Sequence, residues 1–152
     1  MPAYSLYLVV EDTNVKDVYK NNADLSAENA GFDLITAETI TGAPTQLLNL
    51  GVRAMLVEQA TGNPVHFYLY PRSSIYKTGY IMANSVGIID KSYRGILKAP
   101  VARVLHDAKG FSMGDRHFQI IAPDMGHIRE VVLVDSLPET QRGEGGFGST
   151  GR

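Results

Sequence analysis

The sequence predicts an all-β fold, a sandwich or jelly roll built from short strands. Its apolar residues are grouped in short runs rich in β-branched and aromatic side chains, and Gly, Pro, Asn and Asp separate these runs. Residues 15–29 alone have a helical composition, and because their apolar periodicity is weak they predict a loop or a short helix. Short strands at this spacing are typical of sandwiches and jelly rolls.

Seven runs are predicted to contain the strands. The alternation is clearest where Val65, Phe67 and Leu69 place apolar side chains at every second position, on one face of a sheet. In chain order the runs are residues 4–10, 47–58 (interrupted at Gly51), 65–70, 81–89, 95–105, 117–122 and 128–135.

The composition excludes several classes of protein. The 152 residues fit one domain, and 44% hydrophobic with 20% charged residues is typical of a soluble globular protein. The absence of cysteine excludes disulfides, thiolate nucleophiles and cysteine-based zinc sites. A net charge of −2 argues against broad attraction to nucleic acid or anionic membranes. With no apolar stretch near membrane-helix length and no secretion signal, we expect a cytoplasmic protein, or a nuclear one in a eukaryotic or virus-infected cell.

The C-terminal segment differs from the rest of the chain. We predict a β domain over residues 1–139 and a flexible glycine-rich arm over 140–152, which contains RGEGGFGSTGR with five glycines. Glycine lets a backbone approach an anion closely, so this arm suits a polyphosphate, but a solvated tail has the same composition. Phe147 favours a ligand, because an exposed aromatic ring gains nothing from water and can stack on a base.

Two further segments are candidates for binding or catalysis. Arg72, Ser73 and Ser74 follow a predicted strand and form either a phosphate grip or a surface turn. Residues 87–95 (GIIDKSYRG) place a polar turn between apolar runs and predict a β-hairpin. The carboxylate of Asp90 in that turn can activate a water molecule or cap backbone amides.

Other polar residues are weaker signals. Asp33, Asp115 and Arg116 are each more typical of buried ion pairs or turns than of a binding site. The four histidines lack metal-ligand spacing, so we expect no histidine metal site.

Taken in order, five segments resemble the motifs of the trimeric dUTPase family. The resemblance runs from residue 30 nearly to the end of the chain. It departs from the family pattern at Phe118, where a small residue is usual, and at Ile75 and Tyr76, where leucine is usual after the second motif. The five segments are residues 30–38 (AGFDLITAE), 71–74 (PRSS), 84–95 (NSVGIIDKSYRG), 114–119 (GDRHFQ) and 142–151 (RGEGGFGSTG).

This resemblance implies a distorted jelly roll, or β-clip-like barrel, and a homotrimer. The C-terminal arm is then exchanged between subunits and closes over a neighbouring active site. The implied reaction is hydrolysis of dUTP to dUMP and pyrophosphate, which limits uracil incorporation into DNA and supplies dUMP for thymidylate synthesis. Mg²⁺ would be held mainly by the triphosphate and water molecules, since this ion keeps much of its hydration shell.

The resemblance also implies a role for each site residue. Asp90 would activate the water that attacks the α-phosphate, Tyr93 would pack under the deoxyribose and Phe147 would stack on uracil. Uracil would be read by the third motif, through Asn84, Gly87 and Ile89. The remaining substrate contacts would come from Arg72, Ser73, Ser74, Gln119, Arg142, Gly148, Ser149 and Thr150. Structural support would come from Asp33, Asp115 and Arg116.

Three alternatives are weighed against this hypothesis. A dCTP deaminase, or a bifunctional deaminase and dUTPase, also suits PRSS, but the complete third and fifth motifs favour dUTPase and no glutamate stands in the third motif as a deaminating base. A dUTPase-like trimer that binds a regulatory protein is the second, with residues 15–29 as its candidate surface. Because the sequence retains Asp90, it favours an active enzyme over this non-enzymatic role. A β domain without a site is the third, and five ordered motifs argue against it.

Overall fold

The computed structural model describes residues 2–22 and 25–147. Within this part the chain forms eleven strands, one α-helix and one 3-10 helix, so the all-β prediction is confirmed. The strands are β1 (Ala3–Val10), β2 (Gly31–Leu34), β3 (Thr45–Asn49), β4 (Val52–Glu58), β5 (Pro64–Val65), β6 (Phe67–Pro71), β7 (Tyr80–Met82), β8 (Gly87–Ile89), β9 (Lys98–Arg103), β10 (Phe118–Ile121) and β11 (His127–Leu133). The α-helix is α1 (Thr13–Asn22), and the 3-10 helix spans Ser73–Thr78.

The strands form three sheets. Their strand orders are β11-β1-β4-β5, β2-β10-β6-β8 and β3-β9-β7. All named pairs are antiparallel except β1 with β11. Each predicted run contains at least part of a strand, and run 47–58 divides into β3 and β4 around Gly51, whose φ of 67° suits glycine. Strand β2 lies outside the predicted runs.

Helix α1 settles the open prediction for residues 15–29 in favour of a short helix. Asp12 precedes it, and its carboxylate accepts a hydrogen bond from the Asn14 amide at 2.8 Å, as at a helix N-cap. Val15 and Tyr19, one turn apart, are buried on the same face. The Tyr19 ring stacks on Phe32 of β2 at 6.2 Å, so this single apolar stripe attaches the helix to the second sheet.

The predicted hairpin at residues 87–95 is wrong. Strand β8 pairs with β6, whereas β9, the next strand, pairs with β3 and β7, so the chain crosses from one sheet to another through the Asp90 turn. Leu97 explains the crossing. It is buried, its amide donates to the carbonyl of Val52, and its carbonyl accepts from Leu50, which holds this segment against a different part of the core.

The unusual Phe118 is accommodated inside the core. Its ring is fully buried, 5.9 Å from the ring of Phe111. Phe111 in turn exchanges two backbone hydrogen bonds with Ile40, at 2.8 and 2.9 Å. The aromatic cluster therefore rests on a backbone bridge between distant segments.

We expect Gly110→Ala to lower the free energy of unfolding by about 3 kcal/mol or more, because two penalties add there. Gly110 has φ 78°, and an added Cβ would lie 2.0 Å from the carbonyl oxygen of Ile40. Gly62→Ala is the matched control, since φ is 72° but nothing lies within 4 Å, and its cost should be about 1 kcal/mol. Urea denaturation measures both, and equal losses would contradict the proposed clash.

Candidate functional site

Two cavities lie at opposite edges of the sheet β2-β10-β6-β8. The first, which we call the arginine cavity, has a volume of about 350 Å³ and lies beside β2 and β10. Four of the sequence-predicted residues line it: Asp33, Arg72, Arg116 and Gln119. Val18 and Tyr19 of helix α1 form part of its wall. A cavity with two guanidinium groups suits an anionic ligand such as a phosphate chain.

The guanidinium of Arg72 is held from two sides. Its Nε lies 3.1 Å from Oδ1 of Asp33, and its Nη1 donates to the carbonyl of Arg116 at 2.6 Å. A planar guanidinium with several of its donors satisfied has one preferred orientation. Asp33 thus supports Arg72, as the sequence suggested.

Gln119 of β10 reaches the same cavity because residue 31 of the paired strand β2 is a glycine. An added Cβ on Gly31 would lie 2.1 Å from Oε1 of Gln119. The two strands pair so that Gln119 stands opposite Asp33 and Ile121 opposite Gly31. The missing side chain at Gly31 therefore provides the space in which the Gln119 amide lies.

Ser73, Ser74 and Asp115 do not line either cavity in the described part of the chain. Ser73 is exposed at the start of the 3-10 helix. The hydroxyl of Ser74 lies 2.9 Å from Nδ1 of His117 and 3.4 Å from the carbonyl of Arg116. The carboxylate of Asp115 accepts a hydrogen bond from the Ser112 amide at 3.0 Å.

The second cavity, which we call the aspartate pocket, has a volume of about 180 Å³ and lies beside β6 and β8. Hydrophobic walls come from Leu69 and Leu97. Seven sequence-predicted residues from two distant segments of the chain meet here: Asn84, Gly87, Ile89, Asp90, Tyr93, Arg142 and Phe147.

Asp90 lies in this pocket between two basic side chains. Its Oδ2 forms an ion pair with Nη1 of Arg142, and its Oδ1 lies 3.8 Å from Nδ1 of His66. The Asp90 side chain is 45% exposed, so water reaches the carboxylate directly. A carboxylate with this access can orient and deprotonate a water molecule.

Tyr93 forms one wall of the pocket in a fixed orientation. Its hydroxyl donates to the carbonyl of Ile96 at 2.8 Å, and burial raises the pKa of the phenol. The ring fits because Gly95, two residues later, has no side chain. An added Cβ at Gly95 would lie 2.3 Å from the Tyr93 hydroxyl oxygen. The guanidinium of Arg142 lies over the ring, 5.5 Å from its centre.

The described part of the arm, up to Phe147, lies against its own chain. The hydroxyl of Thr140 donates to the carbonyl of Ser92, and the carbonyl of Gly143 accepts from the Arg94 amide at 2.7 Å. Arg53 of β4 donates to Glu144 of the arm at 2.8 Å and to the carbonyl of Arg94 at 2.9 Å. The predicted ligands Gly148, Ser149 and Thr150 lie outside the described residues.

The two cavities are separate within one chain. They share no lining residue among those described, and β2 and β8 are the two outer strands of the sheet. Three strand spacings of roughly 4.8 Å separate these outer strands by about 14 Å. The predicted phosphate-binding residues Arg72 and Gln119 are therefore not beside Asp90 of the same chain.

The described residues contain neither a preformed metal site nor a membrane-spanning helix. Within residues 2–22 and 25–147, no group of three or more His, Asp or Glu side chains is arranged to hold a metal ion. None of the helices in that part of the chain has the length and apolar character required to cross a membrane.

Comparison with known proteins decides the family. A model of the dUTPase family matches residues 20–151. This chain belongs to the dUTPase family. It is 34% identical over 128 residues to the deoxyuridine 5'-triphosphate nucleotidohydrolase of Tropheryma whipplei, covering 82% of this chain and 84% of that protein. The enzyme of that name from Finegoldia magna is 34% identical over 146 residues, or 90% of this chain and 98% of that one.

Solved structures of dUTPases share the fold. The dUTPase of Streptococcus mutans is 28% identical, with a TM-score of 0.56 over 75% of this chain and 91% of that chain. A dUTPase of Staphylococcus bacteriophage 80alpha has a TM-score of 0.57 over 97% of this chain and 98% of that chain. At 20% identity the phage protein supports the fold alone. This dUTPase family member is thus an enzyme with the architecture of its relatives.

Sequence reasoning missed four residues, two that line the arginine cavity and two that contact the arm or the Asp90 turn. Tyr19 lies on a segment outside the family pattern, and Gly31 gave no sign that its missing side chain makes room for Gln119. Arg53 is 91 residues from its partner Glu144, and His66 is 24 residues from Asp90. Contacts at such separations leave no pattern in one sequence.

We expect Tyr19→Phe to lower the free energy of unfolding by about 1–3 kcal/mol at neutral pH. The Tyr19 hydroxyl accepts the buried Ile35 amide at 2.7 Å, and phenylalanine leaves that donor unsatisfied. Urea denaturation measures the loss. Tyr76→Phe, at a residue that is 73% exposed, is the control and should change little.

The same variant should respond differently to alkaline pH. Burial raises the pKa of Tyr19 to about 12, above the value near 10 of an unfolded tyrosine. Because the folded protein favours the protonated phenol, Tyr19 contributes its full stabilisation below pH 10. This contribution is lost as the pH rises towards 12. The stability difference between wild type and Tyr19→Phe should therefore shrink over that interval. A difference that grows with pH would contradict the assignment.

Proposed function

We propose that this protein hydrolyses dUTP to dUMP and pyrophosphate, with the nucleoside in the aspartate pocket. The observation that carries the proposal is the pocket itself, in which Asp90, Tyr93 and Phe147 meet with Asn84 and Arg142 in a member of the dUTPase family. Relatives at 34% identity named deoxyuridine 5'-triphosphate nucleotidohydrolase support it. In a cell, this reaction limits uracil incorporation into DNA and supplies dUMP for thymidylate synthesis.

Uracil and deoxyribose are selected by shape and hydrogen bonding in this proposal. The backbone between Gly87 and Ile89 and the side chain of Asn84 read the base. A cytosine amino group would place a donor against a donor, and the thymine methyl would clash, so both are rejected. Tyr93 packs against the sugar and leaves no space for a 2′-hydroxyl, while Phe147 stacks on the base.

The reaction requires little covalent participation by the protein. Asp90 orients the water and accepts its proton as the oxygen attacks the α-phosphorus, and pyrophosphate leaves. Negative charge develops on the phosphate oxygens, where Arg72, Gln119 and Arg142 stabilise it. Substrate displaces Arg142 from Asp90 and from the Tyr93 ring, which frees the carboxylate for water and turns the guanidinium toward phosphate.

We propose a homotrimer in which each site combines two chains. The two cavities of one chain lie at opposite edges of a sheet, too far apart for one nucleotide to reach both. A nucleotide in the aspartate pocket of one copy therefore needs the arginine cavity of another copy for its phosphates. The exposed apolar face of β3-β9-β7 supports association, since Leu47 and Ile81 are 43% and 50% exposed and lie beside Pro100 and Ala102. Exchange of the arm stays a prediction, and an exchanged arm has to leave the contacts described above.

Mg²⁺ is the proposed cofactor. The arginine cavity offers the guanidinium groups of Arg72 and Arg116 and the amide of Gln119 to phosphate oxygens, and the carboxylate of Asp33 is paired with Arg72. An ion that arrives with the triphosphate and keeps most of its water fits this donor set. It would supply charge neutralisation at the phosphate oxygens, while Asp90 and the arginines perform the steps above.

The proposal is tested by incubating the protein with dUTP, dCTP, dTTP and UTP, each with Mg²⁺ or EDTA, and resolving the products by ion exchange. Of the four nucleotides, we expect only dUTP to be hydrolysed. It should give dUMP and pyrophosphate when Mg²⁺ is present and no product with EDTA. Asp90→Asn should lower turnover by about 10²-fold or more, and Asp107→Asn, an exposed carboxylate outside both cavities, should not. Consumption of dCTP would support a deaminase instead, and binding without turnover a nucleotide-sensing module.

The two-chain site is tested by mixing two inactive variants. Asp90→Asn damages only the aspartate pocket, and Arg72→Ala only the arginine cavity. When the two variants are co-expressed in equal amounts, half of the aspartate pockets keep Asp90 and half of the arginine cavities keep Arg72. If each site takes these two parts from different chains, roughly a quarter of the sites are intact and should recover roughly a quarter of wild-type activity. Mixed oligomers confirmed by native mass spectrometry but without recovery would show that each site lies within one chain.

A further inference from the structure

His66 lies directly beside Asp90, although no motif contains it. Strands β6 and β8 pair antiparallel with Phe67 opposite Ile89, so the next position in register places His66 opposite Asp90. The imidazole reaches across this gap. Its Nδ1 accepts a hydrogen bond from the Lys91 amide at 3.0 Å and lies 3.8 Å from Oδ1 of Asp90.

We propose that His66 is a positioning residue for Asp90, which it orients by holding the peptide that joins Asp90 to Lys91. The proposal rests on the function proposed above, in which Asp90 activates the attacking water. Backbone pairing between the strands ends at Ile89, and the Nδ1 of His66 takes the place of the next acceptor. The direction of the Asp90 carboxylate follows from the orientation of that peptide.

The chemistry of the contact defines the state of the ring. A nitrogen that accepts a hydrogen bond carries no proton, so the ring is neutral with its proton on Nε2. The Nδ1 lone pair is used by the Lys91 amide, and a neutral ring gives no proton to the carboxylate. His66 thus holds the turn without occupying the oxygens of Asp90, whereas Arg142 pairs with them directly.

The expected effect is moderate. The His66 side chain is 59% exposed, so water can partly replace the lost acceptor at the Lys91 amide. A second backbone bond, from the Tyr93 amide to the Asp90 carbonyl at 3.0 Å, remains in any variant. The turn should therefore persist without His66, while the carboxylate samples unproductive directions.

Three variants test the proposal. His66→Leu removes the acceptor and keeps similar bulk, and His66→Asn places its amide oxygen near the position of Nδ1. His106→Leu makes the same chemical change at an exposed histidine outside both cavities. We expect His66→Leu to lower kcat for dUTP about 3- to 10-fold with KM within about 2-fold, the range for a lost exposed hydrogen bond. His66→Asn should restore kcat to within about 2-fold, His106→Leu should match wild type, and Tm should stay unchanged throughout.

Each contrary outcome identifies which proposal fails. Wild-type kcat in His66→Leu, or no rescue by His66→Asn, overturns the positioning role, and so does a change confined to KM, which would mark a substrate contact. Asp90→Asn at wild-type activity overturns the function proposed for Asp90 instead. If the protein does not hydrolyse dUTP, ¹⁵N NMR of His66 still decides the geometry, since a proton on Nδ1 excludes the bond to Lys91.

Discussion

The antiparallel pairing of β10 with both β2 and β6 is the constraint on which the arginine cavity depends. It places Gln119 opposite Asp33 on one side and opposite Tyr70 on the other. Asp33 then meets Arg72 at 3.1 Å, and the absence of a side chain at Gly31 leaves room for Gln119. A shift of one residue in this register would turn these polar side chains to the opposite face of the sheet and dismantle the cavity.

The same sheet explains why the protein is proposed to act as an oligomer. Its opposite edge is β8, from which the chain continues through Asp90 into a different sheet instead of returning as a hairpin. The side chains proposed to bind phosphate and the proposed general base are thereby kept on different sides of one chain. A substrate that needs both requires a second copy, and the apolar outer face of β3-β9-β7 offers a surface for it.

The Asp90 turn is shaped by three segments from outside the motifs that contain it. His66 holds its backbone, Arg53 binds the carbonyl of Arg94 beside it, and the arm adds Arg142 above Tyr93. Exposed ion pairs such as that between Arg53 and Glu144 are individually weak, so the order of the arm depends on the backbone bonds around them. Such an arm can leave and reclose as substrate binds.

The sequence alone determined the all-β class, the run containing each strand except β2 and the resemblance to the dUTPase family, and it singled out eleven of the residues that line the two cavities. The class and the strand runs follow from local patterns, since side-chain alternation is a property of neighbouring residues. The family and the site residues follow from the resemblance of five ordered segments to the dUTPase motifs. Only the tertiary structure decided that β8 and β9 belong to different sheets, that Ser74 turns toward His117 and that His66 stands opposite Asp90. Those outcomes depend on which distant strands pair and how their side chains compete for space in the core, and neither is encoded within a short stretch of chain.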